Sequence, residues 1–301
     1  MTRLAIDVGG TKVAFRLAGA GRPPRDAALR WPPAGGAPNP AADWAALAAE
    51  VARLRAGAAP IEAVGVALPA AVDAAGRVTA WPGRPGWVGL DVGARLRALF
   101  PGAAVRWADD GDLAALAEAG RLRARNAVYL GVGTGVGGGA VLDGRPVPGC
   151  EAGHLVVDRS ARSQRCDCGR FGCVQAAASG PAILRRAAHL RGAAVSFADL
   201  QDGLPAGEPW AVGALEPAWD ALAAAVTCLG ELLHPDVAVI GGGVAAALPG
   251  FTAAIAERAA GYARPGYTPP PVRPAELGAL SSLHGALLLA EQEGTNHDRT
   301  R

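Results

Sequence analysis

The sequence contains a single lysine. Lys12 is the only one among 29 Lys and Arg residues; the others are all arginine. Together with heavy Ala, Gly and Pro usage this reflects a GC-rich coding bias, a comment on the genome and not on chemistry. It leaves the retained lysine as a residue to explain, with a surface lysine that escaped the drift as the alternative. Charge of one sign is missing too: 29 basic residues stand against 27 acidic ones, a net charge of +2. That balance gives no electrostatic reason to expect nucleic acid as a partner. No run of about 18 apolar residues is present, and the N-terminus has no apolar signal core. We therefore expect a cytoplasmic protein with no membrane partner. The Walker phosphate-binding pattern is absent, as is a dinucleotide GxGxxG opening a helix. What the chain has in quantity is apolar residues, 50% against 19% charged, the composition of a folded protein. Its 301 residues exceed one ordinary core, so two domains are expected.

Apolar runs broken by glycine recur. "LAIDVGGTKVAFRLAG", from Leu4, reads as a strand, a tight glycine turn and a second strand. "AVYLGVGTGVGGGAVLDGRPV", Ala127 to Val147, repeats that design. Between them lie a helix over "NPAADWAALAAEVARLRAG", starting near Asn39 or Pro40, and a buried strand in "IEAVGVALPAAVD". A turn-rich "WPGRPGW", a strand "AVRWADD" and a helix "DLAALAEAGRLRA" follow. The later half predicts helices at "GPAILRRAAHLRG", at "PAWDALAAAVTCLGELLH" from Pro217, and at "SSLHGALLLAEQEG", with a strand and turn at "VAVIGGGVAAAL" and a frayed tail "TNHDRTR". Strands alternating with helices give an α/β fold, and two similar halves give a duplicated two-lobe architecture with a cleft between them. We expect an N-terminal lobe over 1–115, joined by a C-terminal helix at 283–296, and a second lobe over 116–282.

Three glycine turns follow apolar strands. In "DVGGTK" the backbone can turn sharply and bring N–H groups to phosphate oxygens. Gly9 and Gly10 supply that backbone, Thr11 a hydroxyl, Lys12 a cation, and Asp7 a carboxylate able to hold Mg²⁺ through water. A plain hairpin turn is the alternative. The second turn, Gly133, Thr134 and Gly135, could close over the same phosphates, and the third, Gly241, Gly242 and Gly243, suits close approach by a purine ring. The chain also has five cysteines, an odd number, of which Cys166, Cys168 and Cys173 fall within eight residues. With His154 they form a set suited to closed tetrahedral zinc, structural because no position remains for water. Buried structural cysteines are the alternative there, and Cys150 and Cys228 are expected in the core.

These residues resemble one known family. "DVGGTK", "GVGTGVGGG", "GCEAGH", "CDCGRFGC" and "VIGGGV" are similar, in order and spacing over nearly the whole chain, to the ROK family of repressors, open reading frames and sugar kinases. The eleven residues between His154 and Cys166 fit as well. The resemblance implies an actin-like, hexokinase-type ATPase fold with sugar in the interdomain cleft, ATP with Mg²⁺, structural zinc and a homodimer. Repressors of the family carry a helix-turn-helix domain before the first strand, which here begins near Arg3; we therefore expect a kinase. A sugar sensor without catalysis is opposed by Asp110 and Lys12.

The family's Asn-Asp-Ala-Asn, before the helix containing "AALAE", is implied to align with Asp109 and Asp110. Asp110 then becomes the base that takes the proton of the sugar 6-hydroxyl; capping of the following helix is the other role open to it. Thr134 joins the glycine turns in neutralising the phosphates. Glu151 and His154 match the sugar-binding Glu-x-Gly-His. Gln175 stands where the family has a sugar-contacting Glu, and the glycine and asparagine often found at Ala70 and Gly83 are missing. The informative departure is Asp109 in place of the asparagine that faces the 3- and 4-hydroxyls. An aspartate only accepts hydrogen bonds, and beside Asp110 and Glu151 it is costly with a neutral hexose. We expect an amino sugar with its amine near C3, such as kanosamine (3-amino-3-deoxyglucose), in antibiotic precursor synthesis. An ordinary glucokinase or N-acylhexosamine kinase is the alternative.

Overall fold

The structure, a computed structural model, describes residues 1–292 apart from 20, 32–38 and 163. The expected frayed tail and the end of the last helix lie outside the described residues. The chain divides into two compact units, Met1–Ala114 together with the chain from Ser282, and Ala115–Ser281.

The first unit is built on β1 (Arg3–Val8), β2 (Lys12–Gly19), β3 (Arg22–Arg30) and β4 (Ala63–Ala67). After a small hairpin of β5 (Ala71–Val72) and β6 (Val78–Ala80), β7 (Ala104–Ala108) completes the sheet in the order β3-β2-β1-β4-β7. The second unit repeats this with β8 (Ala127–Val132), β9 (Val136–Leu142), β10 (Arg145–Val147), β11 (Val237–Gly241) and β12 (Val272–Pro274), ordered β10-β9-β8-β11-β12. In each, the first three strands pair antiparallel and the last two are added parallel. One topology used twice accounts for the repeated strand–glycine–strand signature. Every residue of β4 and of β11 is buried, as expected of strands covered on both faces.

The helices are α1 (Pro40–Arg55), α2 (Val92–Leu99), α3 (Asp110–Leu122), α4 (Val174–Ala178), α5 (Gly180–Arg191), α6 (Phe197–Gly203), α7 (Pro209–Leu233), α8 (Gly242–Ala247), α9 (Phe251–Ala260) and α10 (Ser281–Glu291). Their starts carry the expected chemistry: Asn39 Oδ1 accepts from the amides of Ala41 and Ala42 to cap α1, and Asp91 caps α2. Helix α7 departs from the expectation. It begins at Pro209 and runs through Pro217, the residue expected to start it. A proline deletes the helical hydrogen bond to the carbonyl four residues before it, here that of Gly213; beside it, half-buried Arg186 donates Nε to the Ala214 carbonyl at 3.0 Å, and its guanidinium reaches Ala177 O at 2.6 Å. By length and composition α7 could cross a membrane, but the face from Ala211 to Gly230 forms the core of the second unit. Cys228 lies on the opposite face of α7 and is exposed, correcting its expected place in the core, while half-buried Cys150 packs against it.

Helix α10 rests on the first sheet with no side chain between the backbones. A Cβ on Gly65 of β4 would lie 1.9 Å from the Ala286 carbonyl oxygen, and on the side of α3 one on Gly285 would lie 2.0 Å from Leu113 O. Neither backbone can yield without lifting the helix. Gly65→Ala should cost roughly 3 kcal/mol, read as a lowered Tm; an unchanged Tm would show that α10 is not seated on β4.

Candidate functional site

The first unit gathers its candidates at the carboxyl ends of its parallel strands. Asp7, Ala67 and Ala108 stand level across β1, β4 and β7, so Asp7 and the acids following Ala108 share one edge, where ligands of open α/β sheets bind. Beyond Asp7 the chain turns through Gly9, Gly10 and Thr11, closed by Gly9 N–H donating to Lys12 O at 2.9 Å. Burial, with the charge of Asp110 added, raises the Asp7 carboxyl to about 7, while Lys12 opposes the shift. Asp7 thus feels both Asp110 and Lys12.

The pair at the head of α3 divides its work. Asp109 Oδ1 accepts from Gly111 N at 2.9 Å and Asp112 N at 3.4 Å, and its carbonyl accepts from Leu113 N. Asp109 is therefore the N-cap, the role considered above for Asp110, which occupies the first helical position. An asparagine caps a helix as well as an aspartate does. The difference between the two residues is thus confined to the second side-chain atom, an amide N–H₂ in one and an accepting oxygen in the other.

The second unit brings its candidates together around Val136. Gly153 of the Glu151–His154 turn sits so close that a Cβ would lie 1.7 Å from Val136 O. The Val136 amide in turn donates to Gln175 Oε1 at 3.1 Å. Gln175 Nε2 reaches Asp167 Oδ2, between two of the cysteines, at 3.3 Å. The expected sugar contact Gln175 is thus a brace between the Gly133–Thr134–Gly135 turn and the cysteine loop, and only an amide serves it, accepting on one side and donating on the other. Glu151 is exposed. The third turn is also seated here: Gly242, at φ +87°, would place a Cβ 2.3 Å from Val132 O, and the ring of Tyr129 underlies Gly131 and Gly241. Tyr129 was not expected; its signal was a lone aromatic in an apolar strand two residues before a glycine.

One ligand atom from each of His154, Cys166, Cys168 and Cys173 lies within 4.8 Å of the other three. Cys166 Sγ is 3.5 Å from His154 Nδ1, and Cys168 Sγ is 3.6 Å from Cys173 Sγ. Tetrahedral zinc with its usual bond lengths requires about 3.6 Å for a sulfur–nitrogen pair and about 3.8 Å for two sulfurs, so the residues fit that ion. Burial and the neighbouring thiols push Cys173 up to about 12, whereas hydrogen bonds from Arg170 and the other thiols outweigh burial and draw Cys168 to about 6. A cation among them would be needed to hold all three as thiolates.

The electrostatics of Asp7 have a measurable consequence. The folded chain holds its proton more tightly than the unfolded chain, so ionisation of Asp7 costs stability progressively from about pH 4 to about pH 7. Asp7→Asn should stabilise the ligand-free protein by a few kcal/mol (~1.4 per pKa unit) at pH 8 and hardly at all at pH 4. Denaturant midpoints for both proteins across that range test it; a pH-independent difference would remove the argument.

Comparison with known proteins accords with this geometry. The model of the ROK family matches residues 3–293. The chain is 52% identical over 293 residues, 95% of either chain, to a kanosamine kinase of Amycolatopsis mediterranei. Among solved structures, a ROK hexokinase from Thermus thermophilus matches with a TM-score of 0.81 at 32% identity, over 97% of this chain and 98% of that one. A ROK family glucokinase from Streptomyces griseus, in complex with glucose and AMPPNP, shares the fold with a TM-score of 0.81 at 23% identity, over 97% and 100% of the two chains. With an actin-like α/β architecture in both units and a family match across nearly its full length, the chain belongs to the ROK family.

Proposed function

We propose that the chain is an ATP-dependent sugar kinase that transfers the γ-phosphate to the 6-hydroxyl of a hexose bearing an amine near C3, kanosamine being the sugar that fits. The observation that carries this is Asp109: it keeps the helix cap of an asparagine while presenting a carboxylate oxygen where the amide would be. An ammonium has donors and no acceptor, so it pairs with that oxygen and would meet only donors on an amide. The positive charge also offsets the repulsion between Asp109 and Asp110. The 52% identity to a kanosamine kinase supports the same substrate.

Asp110 accepts the proton of the 6-hydroxyl as that oxygen attacks the γ-phosphorus and ADP departs. Phosphoryl transfer needs chiefly positioning and charge neutralisation. Lys12, Thr11, the amides of the glycine turns and Thr134 supply these, and Asp7 would hold the magnesium that travels with ATP. Magnesium supplies charge neutralisation between the phosphates. Zinc, held by His154, Cys166, Cys168 and Cys173, would be structural. His154 turns Nδ1 to the thiols, which leaves Nε2 as the ring nitrogen for a sugar hydroxyl and fixes its orientation. Glu151 would contact the same sugar. The family resemblance adds a cytoplasmic homodimer, and antibiotic precursor synthesis is the setting that suits an amino sugar.

Turnover measured with a panel of kanosamine, glucose and N-acetylglucosamine tests the substrate. The expected result is a clear preference for kanosamine, and Asp109→Asn should move that preference toward glucose without lowering Tm. Equal kcat/KM for kanosamine and glucose would remove the amine argument. Asp110→Asn should cost at least about 100-fold in kcat; undiminished turnover would remove the base. Elemental analysis should find zinc, and Cys168→Ser should lose it together with thermal stability.

A further inference from the structure

The first glycine turn lies on a tryptophan–arginine layer that no part of the mechanism above uses. Trp31 Nε1 donates to Gly9 O at 2.7 Å, and Arg84 Nε donates to Gly10 O at 3.1 Å. The Arg84 guanidinium lies 4.4 Å from the centre of the Trp31 ring and forms an ion pair with Asp43. The Asp43 oxygen that Arg84 reaches also accepts from Trp87 Nε1 at 3.0 Å. Trp87 packs edge-on against Trp31 and Trp81, at 5.8 and 4.9 Å between centroids. The layer is dry: Trp31, Trp81, Trp87 and Asp43 are all at least nine-tenths buried. Gly83, where a side chain is often found in the family, would bring a Cβ within 3.2 Å of Trp81 Nε1 and 3.6 Å of Gly10 Cα. The segment "WPGRPGW" thus lies directly against the turn.

In a trans peptide the carbonyl and the N–H point in opposite directions. The layer holds two successive carbonyls, those of Gly9 and Gly10, toward itself. The N–H groups of the same two peptides, which belong to Gly10 and Thr11, are therefore turned to the opposite side. Consecutive amides pointing one way form an anion cradle. Glycine peptides rotate easily, so something must hold this pair. Because Arg84 and Asp43 neutralise each other, the layer acts by orientation and not through a net charge.

We propose that Trp31 and Arg84, anchored by Asp43 and Trp87, are positioning residues that set these two amides for the phosphates of ATP. The inference rests on the sugar-kinase function proposed above. It assigns a role to residues that the mechanism above does not use, among them the otherwise unexplained tryptophans of "WPGRPGW".

Calorimetric binding of Mg-ATP and of adenosine, with the steady-state KM for each substrate, tests it in Arg84→Met and in Trp31→Phe, which keeps an aromatic ring but loses the N–H and the second ring. Both should weaken Mg-ATP binding by about tenfold, the effect of one hydrogen bond lost at each carbonyl. Adenosine affinity and the KM for the sugar should stay as in the unaltered protein. A folded variant that binds Mg-ATP as the unaltered protein does, or that loses adenosine and Mg-ATP by the same factor, overturns the proposal. Should Arg84→Met fail to fold, Trp31→Phe decides. An unaltered protein that binds no nucleotide would instead overturn the kinase function itself, and this inference with it.

Discussion

Backbone against backbone, with nothing between, is the constraint on which both units depend. Gly65 meets Ala286, Gly285 meets Leu113, Gly153 meets Val136 and Gly242 meets Val132, each at a distance that would place a Cβ inside the neighbouring carbonyl. One of these contacts seats α10 on the first sheet and another seats it against α3. The other two hold the sugar-motif turn and the third glycine turn against the strands beside the Gly133–Gly135 turn. The side chains that bind and react are few and short, so their placement is inherited from these contacts.

Charge is then distributed by that frame. Asp7 is half-buried with its carboxyl raised to about 7, Asp109 is committed through one oxygen to the helix end, and Asp110 begins the helix beside them. Three acids at one sheet edge are unfavourable alone. They become useful once cations arrive with the substrates, magnesium on ATP and, in the proposed reaction, an ammonium on the sugar. In the second unit the brace from Val136 through Gln175 to Asp167 joins the middle glycine turn to the cysteine loop. A metal held in that loop would thus stiffen the Gly133–Gly135 turn as well as orient His154.

Much of this was legible in the residues. The strand–glycine–strand pattern at Leu4 and again at Ala127 announced a duplicated sheet, because apolar runs broken by paired glycines have few other uses. The ligand set His154, Cys166, Cys168 and Cys173 was legible for a similar reason, since thiols at that spacing suit a metal better than a disulfide framework. Less was legible where long-range contact assigns the role. Nothing local separates Asp109 from Asp110 as the cap, and nothing local shows that the Gln175 amide bridges Val136 and Asp167. Pro217 read as a helix start because the rule is local, whereas α7 runs on from Pro209 through it, its preceding turn packed into the core of the second unit.

The sequence by itself determined the repeated topology, the family, a histidine–cysteine set that could hold a metal and the presence of a carboxylate where an asparagine is usual. These follow from residue type and spacing, which a chain carries before it folds. Only the tertiary structure decided what each side chain is engaged with. It showed that Asp109 caps while keeping its second oxygen distinct from an amide, and that the tryptophans and Arg84 of a turn-rich segment hold two glycine carbonyls. Such assignments depend on which groups meet across tens of residues, and that is set by packing, not by spacing.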